Sequence, residues 1–259
     1  MFVHSRFSIV YISTEEEYIC IYIIVHTMSS SERKLIIVSG FGPFIGHEEI
    51  NASWEAVKLL PELLIHNGIE YDLEKRLVSV EYGAVDEACA EIWSRQPEMV
   101  IHVGVSGIAK CVYVEKLAYN HKFLRPDNSG QYLSNGSCVL PHNGKANVLR
   151  CGLDVDKIVE AVNATCEACV APAIPNNSHE SLGATRASKN VGNFLCGYIY
   201  LKSLDVDSKR SLFVHVPPKN KPFSTDQTAD IVLKIIEQCV QQVAASECTN
   251  LVPVNDIYH

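Results

Sequence analysis

Residues 34–39 read KLIIVS, a continuous apolar run that a glycine follows directly. A run without polar alternation is typical of a strand that is buried on both faces of a parallel sheet. Two more runs of this kind occur later in the chain, MVIHV at 99–103 and LFVHV at 212–216. Segments with helical spacing separate these runs, so the pattern predicts an α/β layered fold.

The segments around these strands have periodicities that predict the remaining elements. Asn51 is suited to cap a helix, and the apolar stripe of that helix would be Trp54, Val57, Leu60, Leu63 and Leu64. Further helices are predicted at 85–95, 155–162, 191–204 and 227–244, and further strands at 73–80 and 111–118. The polar stretches 125–152 and 171–188 are typical of irregular loops.

The composition favours one globular domain without a nucleic-acid partner. The chain has 259 residues, of which 47% are apolar, and this is enough to form one sizeable core. Its formal net charge is -8, and the carboxylates are spread along the chain. Such a distribution offers no basic surface to a phosphate backbone, so nucleic acid is not expected to bind.

The ten cysteines are better explained as reduced thiols than as disulfides, because several lie inside apolar periodic runs. This favours a cytoplasmic location. Cys166 and Cys169 have the spacing of half a zinc site, but the sequence has no second half to complete it. No metal or cofactor is therefore expected.

The first 27 residues differ from the rest of the chain. Their apolar run, 18–25, is too short to span a bilayer, and glutamates at 15–17 precede it where a secretory signal needs positive charge. We therefore expect residues 1–27 to be an extension outside the fold, residues 28–259 to form the domain, and no membrane to be involved.

Three residues have the chemistry of a thiol peptidase, and each also has a structural explanation. Cys196 lies one or two turns into a predicted helix, and the amides and dipole at the helix start favour a thiolate, although a buried apolar cysteine fits the same surroundings. His215 lies near the carboxyl end of a predicted strand, where α/β proteins bind ligands, and His102 is its rival in a similar strand. Glu115 is an acid within an apolar strand, and it needs a partner such as His215, Lys116 or Arg125.

The glycine-rich segment 40–46 (GFGPFIG) raises the possibility of a nucleotide site. Its third glycine is one position late for the dinucleotide pattern, and Pro43 removes an amide donor. Its two phenylalanines, Phe41 and Phe44, suit a small, flat, uncharged ligand better than a phosphate.

Together these segments resemble the pyroglutamyl-peptidase I family of cysteine peptidases, and the resemblance runs from about Lys34 to Glu247. It is carried by SGFGPFIGHEEINASWEAV at 39–57, HVGVSGIAKCVYVEKLAYN at 102–120, GNFLCGYIYLKSL at 192–204 and SLFVHVPP at 211–218. The family's fold implies a single-domain three-layer α/β/α sandwich with a mixed, mostly parallel central sheet.

The resemblance also implies an activity and the residues that perform it. The expected activity is hydrolysis of the bond after an N-terminal pyroglutamyl residue, through a thioester and without a cofactor. The implied catalytic residues are Cys196 as nucleophile, His215 as general base and acid, and Glu115 as the orienting carboxylate. The implied substrate-binding residues are Phe41, Phe44, Asn51 and Val105, and the turn 104–107 is expected to supply backbone amides to the oxyanion.

The sequence departs from the family pattern in two places. The run ASKNVGNFLC at 187–196 lacks the Asp-Ala-Gly or Ser-Ala-Gly of better-matched members, and the loop at about 165–188 is longer than usual. The alternative to a peptidase is therefore a weak or inactive paralogue that binds pyroglutamyl or other cyclic-amide ligands. The sequence leaves the oligomeric state open.

Overall fold

The structure is a computed structural model that describes residues 6–14, 17–25, 33–44, 50–136, 138–140, 147–165 and 183–250. The chain divides into two compact units, Met1–Arg33 and Lys34–His259. In the first unit, strands β1 (Arg6–Thr14) and β2 (Glu17–Val25) pair as an antiparallel hairpin. The domain boundary that the sequence suggested at residue 28 stays a prediction.

The second unit alternates strands and helices along most of its length. Its elements are β3 (Lys34–Phe41), α1 (Ala52–Lys58), β4 (Leu63–His66), β5 (Ile69–Val78), α2 (Tyr82–Ser94), β6 (Met99–Val105), β7 (Val112–Glu115), β8 (Leu117–Tyr119), β9 (Val148–Arg150), α3 (Val155–Thr165), β10 (Thr185–Ser188), α4 (Leu195–Val206), β11 (Ser211–Val216) and α5 (Thr225–Asn250).

Seven of these strands form one mixed sheet in the order β10-β7-β11-β6-β3-β5-β4. The four central strands, β11, β6, β3 and β5, run parallel, while β7 and β4 pair antiparallel to their central neighbours. β3 and β6 are central because their runs are buried on both faces, as expected of strands covered on both sides.

Helices cover both faces of the sheet. α2 and α4 pack on one face, and α1, α3 and α5 pack on the other. The prediction of a three-layer α/β/α sandwich with a mostly parallel sheet is confirmed. No described helix combines the length and the apolar character that a bilayer crossing requires.

Several predicted elements differ from the structure; the strand predicted at 111–118 is divided into β7 and β8, and the predicted loop 125–152 contains β9. Helix α1 ends at Lys58, so Leu63 and Leu64 belong to β4 instead; Pro61 disfavours helical backbone at the residue before it and lacks an amide donor. The helix predicted from 191 begins at Leu195. The predicted loop 171–188 ends in a strand, β10, which pairs in parallel with β7 at the edge of the sheet. Most of that loop, with Cys166 and Cys169, lies outside the described residues.

Candidate active site

The pairing of β7 with β11 brings Glu115 to His215. In this antiparallel ladder Glu115 lies opposite Phe213, so His215, two residues along β11, is its diagonal neighbour on the same face. A hydrogen bond of 2.8 Å joins Glu115 Oε1 to His215 Nδ1. The partners left open by the sequence, Lys116 and Arg125, are not the ones that satisfy this carboxylate.

Glu115 is fully buried, at 0% exposure, so its second oxygen also needs a donor. The backbone amide of Asn190 supplies it, at 3.2 Å from Oε2. The backbone of Glu115 is also held, because the Tyr200 hydroxyl donates to the Glu115 carbonyl at 2.9 Å. The carboxylate is therefore held in one orientation toward His215.

Cys196 is the second residue of α4, which lies over the same face of the sheet. Its sulfur lies over Gly104, which pairs with His215 across β6 and β11. A Cβ atom at position 104 would be 2.9 Å from Cys196 Sγ and 2.7 Å from Phe213 Cζ. Only glycine leaves room for the sulfur beside His215.

The start of α4 has no side-chain cap, because the N-cap residue is Phe194. The first amides of a helix have no partner within the helix, and together with the dipole they favour negative charge. Close packing fixes this turn, since a Cβ at Gly197 would be 2.0 Å from the carbonyl oxygen of Gly192. The Cys196 thiol is thus held at the positive end of α4.

The environment of His215 favours its charged form. Burial alone would lower the pKa of this imidazole, but hydrogen bonds and charge interactions with Cys196 and Glu115 outweigh it and raise the pKa to about 9. Because Nδ1 is hydrogen-bonded to Glu115, Nε2 is the ring nitrogen left to interact with the Cys196 thiol. The imidazole therefore links the carboxylate to the thiol.

His102, the rival of His215, is a core residue. It is fully buried, and the Ser39 and Ser203 hydroxyls lie 2.7 Å from its Nδ1 and Nε2. Burial lowers its pKa to about 3, so it is neutral at physiological pH. Its strand position explains the difference, because His102 pairs with Phe213 and lies under Ser203, about two turns of α4 beyond Cys196.

Two adjoining cavities meet at Cys196. The smaller one, of about 20 Å³, is mostly apolar and is lined by Phe41, Phe44, Asn51, Val80, Val105, Phe194, Leu195 and Cys196. The four predicted substrate-binding residues all line this pocket. The larger one is an open cleft of about 450 Å³ and shares Phe44, Val105, Phe194 and Cys196 with the smaller pocket.

Asn51 shapes the pocket through contacts within the protein. It caps α1 by accepting from the Ser53 amide at 3.1 Å, and its side-chain nitrogen donates to the Gly42 carbonyl at 2.8 Å. These bonds tie the turn after β3 to the start of α1, so they hold Phe41 and Phe44 in place.

The same turn is not built to hold a phosphate. The Phe41 amide donates to the Ser53 hydroxyl at 3.1 Å, and the Gly42 amide donates to the Val78 carbonyl at 2.9 Å. Amides that are already paired inside the protein are not available to an anion. The nucleotide hypothesis therefore has no support in the described part of this turn.

The turn 104–107 is only partly available to an oxyanion. Gly104 and Val105 are still in β6, and the Ser106 amide donates to the Val216 carbonyl at 2.9 Å. Gly107 lines the open cleft. The Ser106 amide is therefore already paired, and the expectation that backbone amides of this turn serve the oxyanion stays a prediction.

Sequence reasoning missed Phe194, Lys122 and Arg125, which all line the cleft. By residue type, Phe194 resembles a core residue beside Cys196. Because the helix was predicted to begin at 191 and not at Leu195, the sequence did not indicate that Phe194 directly precedes the helix. Lys122 and Arg125 lie at the border of an irregular segment, where no periodicity indicates which way a side chain points.

A thiol beside an imidazole whose far nitrogen is held by a carboxylate, at the carboxyl edge of parallel strands, is the arrangement of an α/β cysteine hydrolase. Comparison with known proteins narrows this class. Residues 33–246 match the family model described as pyroglutamyl peptidase. The chain belongs to this family, as its resemblance predicted.

Individual relatives agree with this assignment. The chain is 32% identical to human pyroglutamyl-peptidase 1 over 216 residues, which cover 83% of this chain and 94% of the human protein. It is 28% identical to a pyrrolidone-carboxylate peptidase of Finegoldia magna over 219 residues, 80% of this chain and 92% of that protein. The crystal structure of Bacillus amyloliquefaciens pyroglutamyl peptidase I has the same fold, with a TM-score of 0.64 at 24% identity over 82% of this chain and 98% of that one.

Proposed function

We propose that this chain is a cysteine-type omega peptidase that hydrolyses the bond after an N-terminal pyroglutamyl residue. Cys196 is the nucleophile, His215 the general base and acid, and Glu115 the residue that orients the imidazole. The observation that carries the proposal is the continuous chain of contacts from the Glu115 carboxylate through His215 to the Cys196 thiol. Membership of the pyroglutamyl peptidase family supplies the substrate class.

The reaction begins with attack of the Cys196 sulfur on the pyroglutamyl carbonyl carbon. The carbonyl oxygen becomes an oxyanion, and backbone amides at the uncapped start of α4 and at Gly107 stabilise it. His215, charged at neutral pH because its pKa is about 9, gives its proton to the departing amine.

The thioester is then hydrolysed by water. His215, now neutral, takes a proton from the water, and the hydroxyl oxygen adds to the thioester carbon. Collapse of the second tetrahedral intermediate releases pyroglutamate and returns the thiolate beside the imidazolium. Glu115 stabilises the imidazolium in both halves of the cycle through its hydrogen bond to Nδ1.

Selectivity for pyroglutamate follows from the pocket of Phe41, Phe44 and Phe194. A lactam ring is neutral and flat, so aromatic side chains can hold it without loss of charge solvation. A free N-terminal glutamine carries an ammonium group, and its burial in this pocket would cost several kcal/mol, on the order given for unpaired ions in proteins.

We also infer a cytoplasmic location. A thiol nucleophile is active only while it is reduced, and a reducing compartment favours that state. Six cysteines are free thiols in the structure: Cys89, Cys111, Cys138, Cys151, Cys196 and Cys239.

The proposal is tested by incubating the purified chain with two tripeptide amides that differ only at the first residue, pyroglutamyl-Ala-Ala-amide and Gln-Ala-Ala-amide. Chromatography measures the release of pyroglutamate or glutamine. We expect release from the first peptide only, and inhibition by a thiol reagent. Binding of the first peptide without any release would favour a protein that captures pyroglutamyl ligands, and release from both peptides would reject the specificity.

A further inference from the structure

Two basic side chains, Lys122 and Arg125, line the open cleft beside Cys196. The remaining described residues of the lining are apolar or neutral, and none of them carries a carboxylate. This contrasts with the whole chain, whose formal net charge is -8. The cleft therefore has a local charge opposite in sign to that of the molecule.

Neither cation is neutralised by a neighbour in the described part of the chain. Both side chains are exposed, and neither forms an ion pair with a described carboxylate. Asp127 is the nearest acid in the sequence, but it is buried, and its oxygens accept from the backbone amides of Tyr82, Ser129 and Gln131.

Arg125 is held in position rather than free in solvent. Its guanidinium carbon lies 4.4 Å from the centre of the Phe194 ring, and its carbonyl accepts from the Tyr82 hydroxyl at 3.0 Å. A guanidinium that stacks on an aromatic face keeps its N–H groups available at the edge of the plane. Because Phe194 precedes the helix that carries Cys196, this stack holds the guanidinium at the cleft that Cys196 also lines.

The backbone around Lys122 is also fixed. Lys122 has a φ of 66°, in the left-handed region, and its neighbours hold it there. The Phe123 amide donates to the Gly136 carbonyl at 2.8 Å, and the Asn193 side chain donates to the His121 carbonyl at 2.7 Å. The segment that carries the two cations is thus fastened to the segment that leads into Cys196.

The position of the cleft indicates which part of a substrate reaches these cations. If the pyroglutamyl ring occupies the small pocket of Phe41 and Phe44, the rest of the peptide leaves the thiol through the 450 Å³ cleft. We propose that Lys122 and Arg125 select peptides that carry a carboxylate within one or two residues after pyroglutamate. This carboxylate is an acidic side chain or the free end of a short peptide, and the inference rests on the proposed function.

The test compares three peptides of one length: pyroglutamyl-Gln-Ala-amide, pyroglutamyl-Glu-Ala-amide and pyroglutamyl-Gln-Ala with a free carboxylate. The ratio of kcat/KM for each acidic peptide to that for the neutral one is measured on the full chain. We expect a ratio of about threefold to tenfold for at least one acidic peptide, as one or two exposed ion pairs can supply. The acidic peptide that is favoured identifies the source of the carboxylate.

Variants separate a charge effect from a structural one. In Lys122→Gln/Arg125→Gln the ratio should fall to about one, because exposed ion pairs are its source. The matched control is Lys157→Gln/Lys209→Gln. It removes two charges from a separate groove that shares no residue with the cleft, and it should leave the ratio unchanged. The wild-type ratio should also fall in 1 M salt, where the Debye length is about 3 Å.

A binding measurement keeps this inference distinct from the proposed function. Calorimetry on Cys196→Ala compares the Kd of the acidic and neutral peptides without turnover. Equal ratios in the wild type and the double variant would overturn the selection by charge while leaving the peptidase intact. Tighter binding of the acidic peptide, with no turnover of any peptide by the wild type, would support the cationic cleft and reject the peptidase.

Discussion

Glu115 Oε1 lies 2.8 Å from His215 Nδ1, and the two residues are diagonal neighbours on antiparallel strands. The carboxylate is fully buried, and its second oxygen is held by the Asn190 amide. This relationship holds Nδ1 toward Glu115, so Nε2 is the ring nitrogen left to interact with the Cys196 thiol. It also stabilises the imidazolium, which is the state that protonates a leaving amine.

Replacement of Glu115 by Gln should preserve the shape of the site but remove the charge. We expect kcat/KM to fall by about 100- to 10,000-fold, because an amide can hold the wrong tautomer of the imidazole. The alkaline limb of the pH profile should also move to lower pH, since Glu115 raises the pKa of His215. The matched control is Glu74→Gln, which removes an exposed carboxylate paired with Arg95. Unchanged kcat/KM in Glu115→Gln would contradict the orienting role.

The pH dependence of activity follows from His215. Its pKa is raised to about 9, so the imidazolium is present at neutral pH and is lost as the pH rises through that value. We expect kcat/KM to fall along an alkaline limb near pH 9, as the imidazolium is lost. Stopped assays from pH 6 to 10.5 measure it. A limb near pH 6.5, the ordinary pKa of histidine, would show that the charged pair does not form.

The same shift has a consequence for stability. Because the pKa of His215 is higher in the folded protein than its ordinary value of 6.5, its charged form stabilises the fold fully below about pH 6.5. This contribution is lost progressively as the pH rises through 9. Urea unfolding of the wild type and His215→Gln should therefore give a difference that shrinks from pH 6 to pH 9.5. A difference that grows from pH 6 to pH 9.5 would mean that the pKa of His215 is lowered rather than raised in the folded protein.

His102 should matter for folding rather than for chemistry. His102→Phe leaves the buried Ser39 hydroxyl without this partner, while Ser203 keeps the bond from the Trp93 indole, which should lower the free energy of unfolding by about 1–3 kcal/mol. The folded fraction should keep its kcat/KM, whereas His215→Phe should lose activity. Urea titration and active-site titration with an alkylating reagent measure the two effects. A His102→Phe variant that folds stably but is inactive would show that His102, and not His215, is the catalytic histidine.

Gly104 tests the close approach of Cys196 to the sheet. In Gly104→Ala the new methyl group would be 2.9 Å from Cys196 Sγ, so the sulfur must move. A displacement of about 1 Å at a reacting atom can cost about 100-fold in rate, and we expect a loss of that size in kcat/KM. Gly83→Ala is the control, because a Cβ at Gly83 meets nothing within 4 Å. Full activity in Gly104→Ala would mean that the sulfur is not confined there.

The sequence was sufficient for the fold because its central strands are continuous apolar runs. The runs at 34–39, 99–103 and 212–216 each predicted a buried strand, and these strands lie side by side as β3, β6 and β11. Element ends were less accurate. The apolar spacing continued through Leu63 and Leu64 after the helix had ended, because periodicity does not record the effect of Pro61.

The site was only partly predictable. Cys196, His215 and Glu115 could each be singled out by residue type, but their contact depends on strand register, which is a long-range property. His102 and His215 look alike in sequence, and strand register separates them, because it brings His215 beside Gly104 and Glu115. Lys122 and Arg125 lie in a loop, where the direction of a side chain is set by contacts such as the stack on Phe194.

The most direct test is the release of pyroglutamate by Cys196→Ala, compared with the wild type and with Cys138→Ala, which removes another half-buried thiol. All three proteins should fold, as judged by circular dichroism. In the wild type, brief treatment with iodoacetamide should label Cys196 ahead of the other nine cysteines and abolish activity in proportion. We expect Cys138→Ala to be active and Cys196→Ala to lose at least about 1,000-fold in kcat/KM, as removal of a nucleophile does. Undiminished release of pyroglutamate by a folded Cys196→Ala would contradict the proposed chemistry.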